Sequence, residues 1–339
     1  MTFNLSRNQF FLLLFIAQTG TVSLSFQTPF INATGRDAWL VFIGVGIFHY
    51  VLLLIYEKNY QYFKPGPIAS WLFIGYWFLI LVSFISYVDY TLAVWAFPDT
   101  PQILVIAIMV GISLYANLSR AETVINLSVI LVPLIPLFYI LLLFAWPNYV
   151  WTNLFPIGTL DRSELIKGLL TSQFTFIGIE LFLFFRKHVD QQHKVKGRPL
   201  FIYQSIWMVF FFSSVLFTLA YFPLVEIKRI PEPIMYILKT QTVSFVERID
   251  LFFIYLWMMW SIITIAIFAF TSIYVLQLHV KGHRKRNTII LHILLVLFPL
   301  LFLSKERVAM IQSTLPYFHL FFIMVVPTIV ILMNRRKKK

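Results

Sequence analysis

Two clusters of polar residues interrupt apolar runs in this chain. The stretch KGLLTSQFTFIGIELFLFFRK, residues 167–187, carries Gln173, Thr175, Gly178 and Glu180 in its middle. A carboxyl group at bilayer mid-depth costs several kcal/mol unless it faces protein or water. Gly178 weakens a helix by about 1 kcal/mol relative to alanine. The stretch NQFFLLLFIAQTGTVSLSFQTPF carries Gln18, Thr19, Gly20 and Thr21 in the same way. A glycine flanked by hydroxyls and an amide lets a helix unwind while side chains re-satisfy its freed backbone groups. Neutral donors and acceptors, opened backbone and one acid provide for non-covalent recognition, as in a transporter-type binding site. Glu180 reads as a coupling or gating acid, with a purely structural pairing as the alternative. Ser261, Thr264 and Thr271, spaced by three and seven, share one helical face. They read either as a cation site or as hydroxyls packing helix to helix. His49 stands alone and reads as a hydrogen-bonded packing residue, with a ligand or proton carrier as the alternative.

Catalytic constellations are missing. The chain has no cysteine, no HExxH and no GxSxG. His279 and His283 are four apart, but they fall in the basic loop HVKGHRKR with no third ligand near. The reading is therefore a binding protein and not an enzyme, with no metal and no cofactor.

The elements that must position these residues follow from composition. Of 339 residues, 60% are hydrophobic and 12% charged, 37 are Phe, and the mean hydropathy is +0.83. This composition predicts an all-α, multi-pass membrane protein whose partner is the lipid bilayer. The net charge of +13 sits in short loops, which excludes nucleic acid as its explanation.

Ten spans are expected, at about 8–31, 38–56, 68–90, 102–119, 123–146, 166–187, 200–222, 250–279, 287–304 and 315–333. They fill a single transmembrane domain over residues 1–339, and the first is read as a true span instead of a signal peptide. An even number puts both termini on one side. Roughly two-thirds of the 27 Lys and Arg fall on that side, which predicts cytoplasmic termini. Interrupted spans one and six lie five apart, so two inverted five-helix halves are expected, about 8–146 and 166–333. Pro133 and Pro136 should kink span five. The segment PNYVWTNLFPIGTLDRSE reads as an outer lid or re-entrant element, and YILKTQTVSFVER as an interfacial helix. Asp250 suits the start of span eight, while Arg248, two residues earlier, is not expected to share its face.

Four stretches together carry a family likeness: SRNQFFLLLFIAQTGT, GRDAW (Gly35 to Trp39), FIGIE (Phe176 to Glu180) and VERIDLFFIYLW. On them the chain resembles the permease-type B subunits of bacterial spore germinant receptors, in the amino acid-polyamine-organocation superfamily. FIGIE is widespread in that superfamily, whereas GRDAW and VERID point to the germination branch. The resemblance implies a LeuT-like fold with discontinuous helices one and six. It also implies a nutrient site between the breaks, with an amino acid as ligand. The first break maps to Thr19–Thr21 and the second to Phe176–Gly178, with Gln18, Gln173 and Thr175 as side-chain contacts. Implied partners are a germinant receptor A subunit and a C-subunit lipoprotein in the spore inner membrane. The chain departs from the superfamily in lacking a span-five lysine that would mimic a bound sodium. The alternative is a secondary active amino acid transporter.

Overall fold

The computed structural model describes residues 3–190, 192, 194–241, 248–280 and 282–337. Helix α1, Arg7–Thr19, starts at a capping box in which Ser6 and Gln9 satisfy each other's backbone N–H groups. Short α2, Val22–Ser25, and α3, Gln27–Thr34, continue it past Gly20–Thr21 and a bend at Phe26. Then come α4, Ala38–Asn59, α5, Pro67–Trp95, and α6, Gln102–Leu118. Helices α7, Ala121–Leu131, and α8, Ile135–Leu143, are split by a tight turn at Val132–Leu134. Pro133 and Pro136, which lack N–H groups, bracket this kink as expected.

In the second half, α9, Arg162–Ser172, tightens into a 3₁₀ turn at Gln173–Phe176, and α10, Leu181–Phe185, resumes after the break. Helix α11 is Arg198–Tyr221, followed by α12, Leu224–Ile227, and α13, Pro233–Lys239. Helix α14, Ile249–His279, precedes α15, Arg284–Leu297, α16, Lys305–Leu320, and α17, Val326–Arg336. Eight helical stretches among the described residues are long and apolar enough to cross a membrane, and Gln102–Leu118 is a shorter apolar helix. The broken first segment, α1–α3, stands outside that set except for α3, which runs on into α4.

Helix α14 is the central post. It packs against α5, α6, α1 and α7, and nearly all of Ser261–Val275 is buried. Contacts between distant loops define two ends of the bundle. At one, Leu5 pairs with the His188–Asp190 backbone, Arg186 grips Glu57, Arg284 donates to the carbonyls of Asn117 and Ser119, and Asn334 donates to those of Tyr62 and Lys64. The described segments nearest both ends, at Leu5 and Asn334, lie here. At the other, the Asp37 carboxylate accepts from the N–H groups of Gly158, Thr159 and Leu160 (2.8, 2.8 and 3.2 Å), and Arg36 donates to the carbonyls of Asn153 and Phe155. The Gly35–Trp39 turn therefore clamps the 147–161 loop onto the bundle. Gly35 needs its positive φ of 56° to end α3 there.

Three expectations change. Arg248 and Asp250 do pair, Nη2 to Oδ2 at 2.7 Å. The face argument fails because Arg248 precedes the helix in an extended conformation, φ −131°, free to swing back over the first turn. The last segment starts ten residues early, at Lys305, because the Ser304 hydroxyl caps it by accepting from Arg307 N–H. Pro316 then sits within α16, and a π-helical turn follows at Phe321–Val325. The expected interfacial helix over 236–248 lies partly outside the described residues. Its described start belongs to α13, whose Ile234, Met235, Ile237 and Leu238 are buried in the bundle.

Candidate functional site: two helix breaks and the cavity above them

The second break is a true discontinuity. Ile177 is extended (ψ 122°) and Gly178 has φ +103°, a conformation L side chains rarely adopt. The amide freed there is satisfied locally: Gly178 N–H donates to Glu180 Oε2 (3.0 Å), and the Trp77 indole donates to Glu180 Oε1 (3.0 Å). Glu180 is fully buried, so both carboxyl oxygens are engaged inside protein.

The first break is a kink and not an opening. Gly20 is helical (φ −48°, ψ −74°) and its N–H still donates to the Ile16 carbonyl (2.9 Å). The Thr19 hydroxyl donates to the Phe15 carbonyl (2.7 Å). Gly20 is small for another reason: a Cβ there would fall 1.9 Å from Thr264 Oγ1 and 2.8 Å from the Trp260 carbonyl oxygen. The Thr264 hydroxyl donates across to the Ile16 carbonyl (2.8 Å), tying α14 to the kink.

The two breaks touch. A Cβ on Gly178 would come within 3.2 Å of the Ala17 carbonyl and of Gln18 Cγ. Gln18 anchors a buried chain of hydrogen bonds. Its amide donates to His49 Nε2 (3.0 Å), His49 Nδ1 donates to Gln204 Oε1 (2.6 Å), and Gln204 Nε2 donates to the Gly46 carbonyl (2.8 Å). The Tyr203 hydroxyl donates to Gln18 Oε1. Gln204 Nε2 is committed to the Gly46 carbonyl, so its oxygen faces the ring and His49 carries a proton on Nδ1. His49 stacks on Trp207 (centroids 4.0 Å apart) and meets the edge of Phe176 from the second break (4.8 Å). It is the packing residue the sequence suggested, and it also joins both breaks. Sequence reasoning missed Tyr203, Gln204 and Trp77. The adjacent Tyr203-Gln204 pair inside an apolar run was the available signal.

Two of the expected ligand-site residues and one of the possible cation-site residues carry polar atoms with no hydrogen-bond partner among the described residues: Thr21 Oγ1, Gln173 Oε1 and, on α14, Ser261 Oγ. Buried polar atoms are nearly always partnered, and these three are among the exceptions in the described residues. Thr175 is closed by the Ser172 carbonyl (2.7 Å). Thr271 is closed by the Ile267 carbonyl of its own helix (2.8 Å) and lies two turns, about 10 Å, from Thr264. The trio is thus split: Thr264 touches the first break, and Thr271 is closed on its own helix. No group of three His, Cys, Asp or Glu among the described residues is placed to hold a metal.

Open space lies above the breaks. A cavity of about 420 Å³ is bounded by Ser25, Phe26 and Asn32 of the first segment, Thr171 and Phe174 of the second, and Gln312 of α16. It adjoins a smaller one, about 160 Å³, which shares Ser25, Thr28, Pro29, Ala309 and Gln312 and reaches Tyr87, Glu232 and Lys305. Gln312 Nε2 is buried without a partner here. Glu232 lies in the connection between α12 and α13, where it accepts from the Trp95 indole (3.4 Å). Burial raises its carboxyl from the ordinary 4.5 to about 7, opposed by the Trp95 bond and by Lys305.

Comparison with known proteins fixes the family. The model of the spore germination protein family matches residues 4–309. The chain belongs to this family. Similar curated members are spore germination protein GerQB of Bacillus cereus and spore germination protein XB of Bacillus anthracis. The first is 21% identical over 263 residues (73% of this chain, 72% of the relative), the second 23% identical over 297 residues (82% of each). Among solved structures, MhsT in complex with L-phenylalanine superposes with a TM-score of 0.73 at 12% identity, covering 95% of this chain and 89% of MhsT. This germination protein therefore has the LeuT-like, all-helical fold expected of it.

Proposed function

We propose that this chain is the nutrient-binding, permease-type subunit of a spore germinant receptor, taking a small ligand, an amino acid, between the broken first and sixth spans. The proposal counts ten spans, as two inverted five-helix halves, by taking α1–α3 and α6 as spans. Both termini then lie in the cytoplasm, the membrane is the spore inner membrane, and the partners are an A subunit and a C-subunit lipoprotein.

The observation that carries the reading is the contact between the two breaks, with Glu180 filling the hydrogen bond that the second break frees. A ligand entering through the cavity would have to pass Phe174 to reach Thr21 Oγ1, Gln173 Oε1 and Ser261 Oγ, which lie outside the cavity's lining and have no partner among the described residues. Its carboxylate competes with Glu180 for the Gly178 N–H, and its ammonium is met by neutral oxygens. Displacing Glu180 releases its hold on Trp77 of α5, which gives Glu180 its gating role. MhsT was solved with an amino acid bound, which favours that ligand class and also keeps a second reading, secondary active amino acid transport.

The test is equilibrium binding of single amino acids and sugars to the purified full chain in nanodiscs, paired with radiolabelled uptake into proteoliposomes. Saturable binding of an amino acid without accumulation is the expected result. Gln173→Leu should weaken it at least tenfold. Glu180→Gln keeps the shape but loses one of two accepting oxygens, and should bind ligand more tightly. Coupled accumulation would establish the transporter instead, and absence of any small-molecule binding would overturn both.

A further inference from the structure

A crevice of about 530 Å³ opens on the bundle end where Leu5 pairs with the His188–Asp190 backbone, between the starts of α1 and α11 and the kink before α8. Its rim carries Arg7 and Arg198, and its interior is apolar, with Phe15, Ile135, Ile202 and Ile206. Each arginine is the first residue of its helix, and neither helix has an acid in its first turn. A cation at a helix N-terminus opposes the positive end of the dipole, and here two such sites lie side by side. Neither guanidinium makes an ion pair or hydrogen bond among the described residues. An anion shared by the two relieves both conflicts.

The apolar part says which anion. Phe11 and Phe15 line the crevice for about 12 Å along α1 from Arg7. Ile202 and Ile206 are about half exposed, and Val209 extends the same stripe of α11 outward. A free phosphate has no use for that surface. We propose that the crevice seats an anionic glycerophospholipid, with its phosphate on Arg7 and Arg198 and an acyl chain along Phe15, Ile202 and Ile206. The floor includes Tyr203, whose hydroxyl holds Gln18, so the lipid sits one residue from the hydrogen-bond chain at the first break.

The test uses the full-length chain in neutral detergent, with phosphatidylglycerol or phosphatidylcholine added, and native mass spectrometry to count retained lipid. One phosphatidylglycerol, retained in preference to phosphatidylcholine, is expected on the wild type and on Arg335→Gln/Arg336→Gln. Retention should fall about tenfold or more in Arg7→Gln/Arg198→Gln. Should that variant fail to fold, Ile206→Trp keeps both arginines and fills the apolar end, and must also lose the lipid. No preference in the wild type, or equal retention by either crevice variant, overturns the proposal. Displacement by millimolar inorganic phosphate overturns it as well, since it would reduce the site to one for a free anion.

Discussion

Gly20→Ala separates close approach from backbone freedom as the reason for a glycine in the first break. The backbone at Gly20 is helical, so alanine fits its φ and ψ and by propensity alone gains about 1 kcal/mol. The new Cβ, however, lies 1.9 Å from Thr264 Oγ1. Ordinary contact needs about 3.5 Å, so the hydroxyl must retreat by roughly 1.5 Å. That breaks its bond to the Ile16 carbonyl, worth about 1 kcal/mol, and overpacks the α1–α14 seam for roughly 1–3 kcal/mol more. The net cost is about 1–3 kcal/mol. Thr264→Ala removes the obstructing oxygen and leaves the Trp260 carbonyl at 2.8 Å and the Ile16 carbonyl at 3.1 Å as close neighbours. The double variant should therefore be more stable than the two single effects predict, by about 1–2 kcal/mol. Reversible unfolding in SDS-mixed micelles, followed by far-UV circular dichroism, measures the cycle. Additivity within about 0.5 kcal/mol would refute the packing argument and return Gly20 to an unwinding role.

Two other perturbations follow from buried charge. Arg186 grips Glu57 through Nε (2.6 Å) and Nη2 (2.8 Å) and lies over the Tyr60 ring, so Arg186→Met strands a carboxylate and should cost about 3–5 kcal/mol. Glu57→Gln/Arg186→Met should recover most of that loss in the same unfolding assay; a double variant as unstable as the single would show that packing, not charge, is at stake. Glu232 has its carboxyl raised to about 7, so the folded state holds a proton that the unfolded chain releases near 4.5. Its contribution is complete below about 4.5 and is lost as pH rises through about 7, a change of at most about 3 kcal/mol. Wild-type stability should fall between pH 5 and 8, and Glu232→Gln should flatten that slope; identical slopes would remove the assignment.

The sequence by itself determined what chemistry the bilayer forbids. A run too apolar for water must be helical in lipid, so polar residues inside such runs stand out as candidates, and the Phe176–Gly178 break was legible for that reason. The sequence also held the GRDAW turn as a signature, without the reason for it: Asp37 gathers three loop amides from 121 to 123 residues away. Tertiary structure decided what each polar group faces. Gly20 looked like a hinge and is a contact point, because α14 approaches it from 240 residues along the chain. Arg248 looked too near Asp250 to pair, and pairs because it lies outside the helix. The cavity stands above the breaks, while at the breaks themselves Gly178 lies close against Ala17 and Gln18 from 160 residues away. Helical periodicity fixes which residues share a face, but only packing among helices fixes what that face meets.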